Sequence, residues 1–293
     1  MSHWQAAPDV ALSRQQHKTL FQAQGRYLRR LGLIALAGLL YYVWFFAQFG
    51  IPADQAFNGI TQIGRYILRM FVWHDFMHWP FRYYFTQIAM TLAIVFAGTL
   101  TATFIALLLS FFAARNIMKG GIAGVVAFLM RRLFDMLRGV DMAIWGLIFV
   151  RAVGLGPLAG VLAIIMQDTG LLGRLYAENH EAVDRSPARG LTAVGASGLQ
   201  KHRFSTFTQS FPTFLSLSLY QIESNTRSAA VLGFVGAGGI GLIYAENMRL
   251  WNWDVVMFIT LILVAIVMAM DAASAWLRRR YITGKPVPLY KAP

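Results

Sequence analysis

The residues of this chain best equipped for chemistry lie in one run, Glu223-Ser-Asn-Thr-Arg-Ser228. Glu223, Asn225 and Arg227 fall inside or at the edge of an apolar stretch, where each charge costs about 2.5 to 3.5 kcal/mol on insertion scales. Two arrangements offset that cost. Glu223 and Arg227 stand four apart and can pair along one helical face. Alternatively the run lines a water-filled path, in which Arg227 attracts an anion and Ser224, Asn225 and Ser228 supply neutral hydrogen bonds. The run Val235-Gly-Ala-Gly-Gly-Ile-Gly241 follows closely. Its Gly236, Gly238, Gly239 and Gly241 let the backbone turn sharply or let two copies approach at an axis, and either role suits a gate. The run is a weak match to the dinucleotide fingerprint, which needs a strand before it and a βαβ unit around it.

The remaining reactive side chains do not assemble a catalytic set. His74 and His78 stand four apart with Asp75 between them, a spacing that puts two imidazoles on one helical face. Two ligands and one carboxylate make an incomplete metal site, and interfacial polar residues explain them better. His180 lies near Glu178, Glu181 and Asp184, which read as solvated acids beside a helix end. There is no cysteine, so no disulfide, thiolate metal site or thiol nucleophile arises. The phosphate loop G-x-x-x-x-G-K-[ST] is also missing, so any ATP hydrolysis must come from a partner.

The elements that must position these residues are membrane helices. Of the 293 residues 57% are hydrophobic and only 13% charged, whereas soluble domains carry about a quarter charged. Apolar runs near the roughly 20 residues that cross a bilayer occur at about Leu31 to Phe49, Tyr84 to Ala114, Met142 to Val153, Leu158 to Gly173, Pro212 to Val235 and Val255 to Leu277. The third is too short alone. Its expected completion is the amphipathic run Ile122 to Val140, whose Arg131, Arg132, Asp135 and Arg138 ride the cytoplasmic interface. The first 30 residues are mostly polar and do not read as a secretory signal, so Leu31 to Phe49 is expected to remain as a spanning helix.

The net charge of +13 follows from topology rather than from nucleic acid binding. Five Lys or Arg fall in each of residues 1–30, 115–138, 174–203 and 278–291, which gathers 20 of the 26 on one face. By the positive-inside rule that face is cytoplasmic, with both termini on it. Residues 50–83 are then an outer loop, and its Trp73, Phe76, Trp79, Phe81 and Tyr83 are expected at headgroup depth. The polar segment Arg174 to Gln209 reads as two short cytoplasmic helices with a glycine turn between them.

With these residues in view, the sequence resembles the permease subunits of ABC importers, and among them the phosphonate-type permeases, from about Tyr84 to Leu277. The most specific piece is Tyr220 to Gly241. Arg131-Arg-Leu-Phe-Asp135 and Val153-Gly-Leu-Gly-Pro-Leu-Ala-Gly160 add to it. The glycine run alone also occurs in methionine-type permeases, and its combination with Glu223-Ser-Asn-Thr-Arg-Ser228 narrows the likeness. The resemblance implies an all-α polytopic fold of about six transmembrane helices, the type I ABC importer permease fold, in a prokaryotic inner membrane. It divides the chain into a cytoplasmic segment 1–30, a first helix and outer loop 31–83, a permease core 84–277 holding the coupling segment 174–209, and a cytoplasmic tail 278–293.

The resemblance also implies partners: two cytoplasmic ATPase subunits that carry ATP and Mg, an extracytoplasmic binding protein, and a second permease, identical or paralogous. This chain itself is expected to bind no cofactor, and membrane lipid surrounds it. The implied work is passage of a phosphonate or a small relative such as phosphite by alternating access, with Glu223 to Ser228 and the four glycines as path or gate. ATPase docking maps onto Arg189, Gly190, Gly195, Ala196 and Ser197. Gly195 holds the usual glycine place, Arg189 stands where an acidic residue is usual, and Thr208 stands where a proline is frequent. The competing readings are an importer for another solute, such as methionine or a phosphate ester, and a membrane enzyme acting on lipid. The latter lacks the acid-base or metal set such chemistry requires.

Overall fold

The computed structural model describes residues 18–48, 53–74 and 76–282. All regular structure among them is helical. The chain falls into two units, residues 1–66 and 67–293. The first holds α1 (Lys18–Gln48) and most of α2 (Ala53–Met70). Within α1 the apolar stretch Tyr27–Gln48 is long enough to cross a bilayer, and its large apolar side chains are exposed, as a lipid-facing helix requires. The segment expected as an outer loop is helical over Ala53–Met70. Ile60, Ile63 and Ile67 repeat at helical spacing within it, an amphipathic pattern too polar to register as a span.

The second unit is a helical bundle. It comprises α3 (Phe81–Ala113), α4 (Gly121–Gly139), α5 (Met142–Val153), α6 (Pro157–Ala182), α7 (Ser186–Ala193), α8 (Gly198–Lys201), α9 (Thr208–Phe234), α10 (Ile240–Arg249) and α11 (Trp253–Leu277). Four segments of the described chain are long and apolar enough to cross a membrane: Tyr27–Gln48, Phe81–Ala113, Pro157–Ala182 and Trp253–Arg280. α9, at 27 residues, is about 40 Å long; its polar residues keep it out of that group. The centre of the bundle is the α3–α6 pair, drawn together by small residues. A Cβ on Gly98 would stand 2.8 Å from the Ile164 side chain, so the helices approach closely only because the side chain is missing.

Two expectations are corrected here. α4 does not complete the short third span: the chain leaves the helix at Val140, and Asp141 starts α5 afresh by accepting a bond from the Ala143 N–H at 2.9 Å. α4 packs instead on α6, with Phe134 seated over Gly173. Arg131 does not ride an interface: it is buried, bonds the Ala113 carbonyl at 2.9 Å through Nε, and pairs with Glu181. α9 runs unbroken through Glu223 to Ser228 and stops only at the glycines, close to the expected bounds of the fifth span. The aromatics expected at headgroup depth form a cluster about Phe258 of α11, with Trp79 and Phe81 at ring-centroid distances of 5.4 and 5.5 Å.

Candidate translocation site

Residues 221, 224, 225 and 228 recur at helical spacing, so Gln221, Ser224, Asn225 and Ser228 share one face of α9. That face meets α6 and α3, and a buried polar network closes the junction. Asp168 of α6 is fully buried and accepts bonds from Gln221 Nε2 at 2.8 Å and from Asn225 Nδ2. Asn225 Nδ2 also donates to Thr99 Oγ1 of α3 at 2.8 Å, and Asn225 Oδ1 accepts from Gln221 Nε2 at 3.2 Å. A buried carboxyl group is tolerated only where hydrogen bonds compensate its desolvation. Here the amide nitrogens of Gln221 and Asn225 supply them, and they fix the orientation of both α9 side chains.

A cavity of about 190 Å³ lies beside the network, lined by Asp141, Gln167, Gln221, Ser224, Asn225 and Ser228 and floored by Leu232. The N-terminus of the half-length α5 borders it. Gln167 Oε1 is buried there without a hydrogen-bond partner, and an unsatisfied acceptor in a polar cavity is a place for a guest molecule to donate. The arrangement sets hydroxyl and amide groups around a polar cavity, and among the described residues it pairs no nucleophile with a base.

Of the remaining residues singled out in this run, Glu223 and Arg227 flank the stripe rather than line the cavity. They pair at 3.5 Å, with Arg278 at 3.9 Å from the other oxygen of Glu223. The glycines make the α9–α10 connection. Gly236, Gly238 and Gly239 all have positive φ, and the Gly236 carbonyl accepts a bond from the Gly156 N–H at 3.1 Å. A Cβ on Gly239 would lie 2.4 Å from Thr91 Oγ1, the atom that accepts the Ile240 N–H at 2.8 Å. At Gly241 a Cβ would lie 2.1 Å from the Ala230 carbonyl oxygen, so α9 and α10 touch backbone to backbone.

In the segment singled out for docking, Arg189 and Gly190 lie on α7, Gly195 turns the chain at φ 80°, Ala196 bonds back to the Leu191 carbonyl, and Ser197 caps α8. Ser197 and Gln200 satisfy each other's backbone N–H groups reciprocally. His180 is buried between Phe111 and Phe214, at centroid distances of 4.7 and 4.9 Å, and meets none of the nearby acids. Glu178 pairs with Arg174, and Asp184 accepts bonds from Ser186. No group of three potential ligands that could hold a metal exists among the described residues, and Asp75 lies outside them.

Residues 106–283 match the family model described as the binding-protein-dependent transport system inner membrane component. The chain belongs to this family. It is therefore a membrane-spanning permease of the ABC importer class, a transport subunit rather than an enzyme, that works with a binding protein and an ATPase. The permease is 38% identical over 191 residues to the phosphite transport system permease protein PtxC of Stutzerimonas stutzeri, covering 65% of this chain and 68% of that one. It is 32% identical over 198 residues to the phosphate-import permease protein PhnE of Mycolicibacterium smegmatis, covering 68% of this chain but 37% of the relative. Its fold matches the MetNI methionine ABC transporter in an inward-facing conformation with a TM-score of 0.61 at 18% identity, over 71% of this chain and 99% of that chain.

The network residues Asp168 and Thr99 and the cavity residue Gln167 lie outside the fifth span and escape a reading of it alone, whereas Gln221 lies within that span and was not singled out. Asp168 does leave a signal: a carboxylate near the middle of an apolar helix is a functional candidate by default, because it is expensive there.

Proposed function

We propose that this permease imports a small phosphorus oxyanion, phosphite or a phosphonate, by alternating access. The observation that carries the reading is the kinship to phosphite and phosphate permeases, in a chain whose family match, residues 106–283, spans the α9 stripe and the glycine turn. The chemistry of the site supports it. An oxyanion leaving water needs hydrogen-bond donors, and Ser224 and Ser228 present hydroxyls to the cavity while Arg227 on the flank adds positive charge. Gly236, Gly238, Gly239 and Gly241 form the hinge of the gate, and Glu223 holds Arg227 in register.

In this reading both termini are cytoplasmic, and α7, the Gly195 turn and α8 dock on one of two ATPase subunits through Arg189, Gly190, Ala196 and Ser197. ATP and Mg bind on those subunits, this chain carries no cofactor, and a second permease, identical or paralogous, completes the path. The core runs over 84–277 with the coupling segment at 174–209, between the cytoplasmic segment 1–30 with the first helix and outer loop 31–83, and the tail 278–293. The test is ATP-dependent uptake by the complex reconstituted with its ATPase and binding protein, offered phosphonates, phosphite, phosphate and methionine. Uptake confined to the phosphorus oxyanions is expected; uptake of methionine alone overturns the substrate assignment.

A further inference from the structure

A second polar recess, of about 420 Å³, lies away from the α9 stripe. It opens between the α3–α4 connection and the helical pair α7–α8, and four cations line it: Lys119, Arg185, Arg189 and Lys201. Arg185 is the N-cap of α7 and Arg189 lies one turn further on, so they share a face, and Lys201 and His202 line the same recess. Like charges gathered at this spacing repel unless an anion lies among them.

Several other basic side chains of the bundle have such partners. Arg131 is paired with Glu181, Arg138 with Asp135, Arg174 with Glu178 and Arg227 with Glu223. Among the described residues, none of the four recess cations is within 4 Å of a carboxylate, and the two nearest acids in sequence are committed elsewhere. Glu181 takes Arg131 and the Arg115 N–H. Asp184 is held at 3.0 Å by both the N–H and the hydroxyl of Ser186. Arg189 acts on Asp184 only at longer range. The recess also holds a neutral group suited to an oxyanion, the Thr206 hydroxyl, and His202 Nδ1 is buried without a partner; the Asn116 amide nitrogen is committed to the His180 carbonyl.

We propose that this recess is a binding site for a phosphate-class oxyanion on the side of the bundle that carries α7 and α8. A tetrahedral polyanion fits the chemistry better than a single carboxylate, because four cations, a hydroxyl and an imidazole line one volume. The group is either a free oxyanion or the phosphate of an anionic lipid headgroup. Its walls are the two short helices, so an occupant ties α7 to α8 and to the α3–α4 connection. The site is independent of the solute carried through the α9 stripe.

The test is calorimetric titration of inorganic phosphate into the full chain in phosphatidylcholine nanodiscs, at constant ionic strength with chloride as the reference anion. Saturable binding is expected, weakened at least tenfold in Arg185→Gln and in Lys201→Gln and retained in Arg185→Lys. Arg132→Gln, an exposed arginine outside the recess, is expected to leave it unchanged, and unaltered melting of each variant shows that folding is not the cause. Repeating the titration in phosphatidylglycerol discs separates the sources. Loss of phosphate binding there assigns the site to the lipid headgroup, and persistence assigns it to the free oxyanion. No saturable phosphate binding in phosphatidylcholine, or equal binding in both Gln variants, overturns the proposal.

Discussion

The buried network predicts a measurable coupling between α6 and α9. Asp168→Ala removes the acceptor of one N–H on each of two buried amides, Gln221 Nε2 and Asn225 Nδ2. In soluble proteins an orphaned buried donor costs about 1 to 3 kcal/mol. Between helices in a bilayer the measured bonds average about 0.6 kcal/mol and reach about 1.7 kcal/mol, because the dissociated helices find other partners. Two orphaned donors therefore cost roughly 1 to 3 kcal/mol. Asn225→Ala removes one of those donors together with the Thr99 bond, so the double variant suffers less than the sum of the singles. Denaturant unfolding of the purified chain in bicelles gives all four corners of the cycle. A coupling of about 0.5 to 1.7 kcal/mol is expected. Additivity within about 0.3 kcal/mol would show that Asp168 and Asn225 do not hold each other, and the account of the network fails.

Gly241→Ala drives a Cβ to 2.1 Å from the Ala230 carbonyl oxygen, so the yield of monodisperse protein by size-exclusion chromatography should fall sharply. Gly190→Ala meets nothing within 4 Å and should leave that yield unchanged or raise it, since alanine is the better helix former by about 1 kcal/mol. Arg227→Ala breaks a pair whose arginine is 64% exposed and 3.5 Å from its partner. It should reduce uptake by the reconstituted complex more than it reduces the amount of assembled complex, and equal losses would assign Arg227 a structural role only. Bonds from the Ser186 N–H and hydroxyl, at the start of α7, hold the Asp184 carboxyl below its ordinary pKa. Its contribution to α7 is therefore present above the usual carboxylate range and lost as pH falls through the lowered value, which hydrogen exchange of the α7 amides should follow.

Much of the bundle was legible because apolar run length reports membrane spans directly. α3 and α11 lie within a few residues of their expected bounds, α6 starts where expected but runs past Gly173 to Ala182, and a glycine turn, at Gly195, separates two short helices in the polar segment as expected. Two features were hidden for different reasons. α2 is amphipathic, and a search for apolar runs passes over a helix with one polar face. The break before α5 did have a local signal, an Asp immediately ahead of an apolar run, but the shortness of that run invited a continuous helix. In the site, the stripe Ser224, Asn225 and Ser228 was readable because polar residues in an apolar stretch stand out. Its partner Asp168 lies 57 positions from Asn225, and only the packing of α6 on α9 brings them together. The recess cations likewise come from separate segments, which a charge census assigns to one side of the membrane without joining them.

The central claim is that the face of α9 bearing Ser224 and Ser228 lies on the path of the transported solute. The chain has no cysteine, so Ser228→Cys provides its one thiol, whose labelling is read on this chain's own band. The decisive measurement is its labelling rate by a charged, membrane-impermeant thiol reagent in the reconstituted complex, with and without phosphite, binding protein and ATP. Met268→Cys on the exposed apolar surface of α11 serves as the reference. The account predicts that Ser228→Cys is labelled, that turnover with phosphite slows the labelling, and that Met268→Cys is not labelled. A Ser228→Cys thiol that the reagent never reaches, or that it labels at the same rate during turnover, would contradict it.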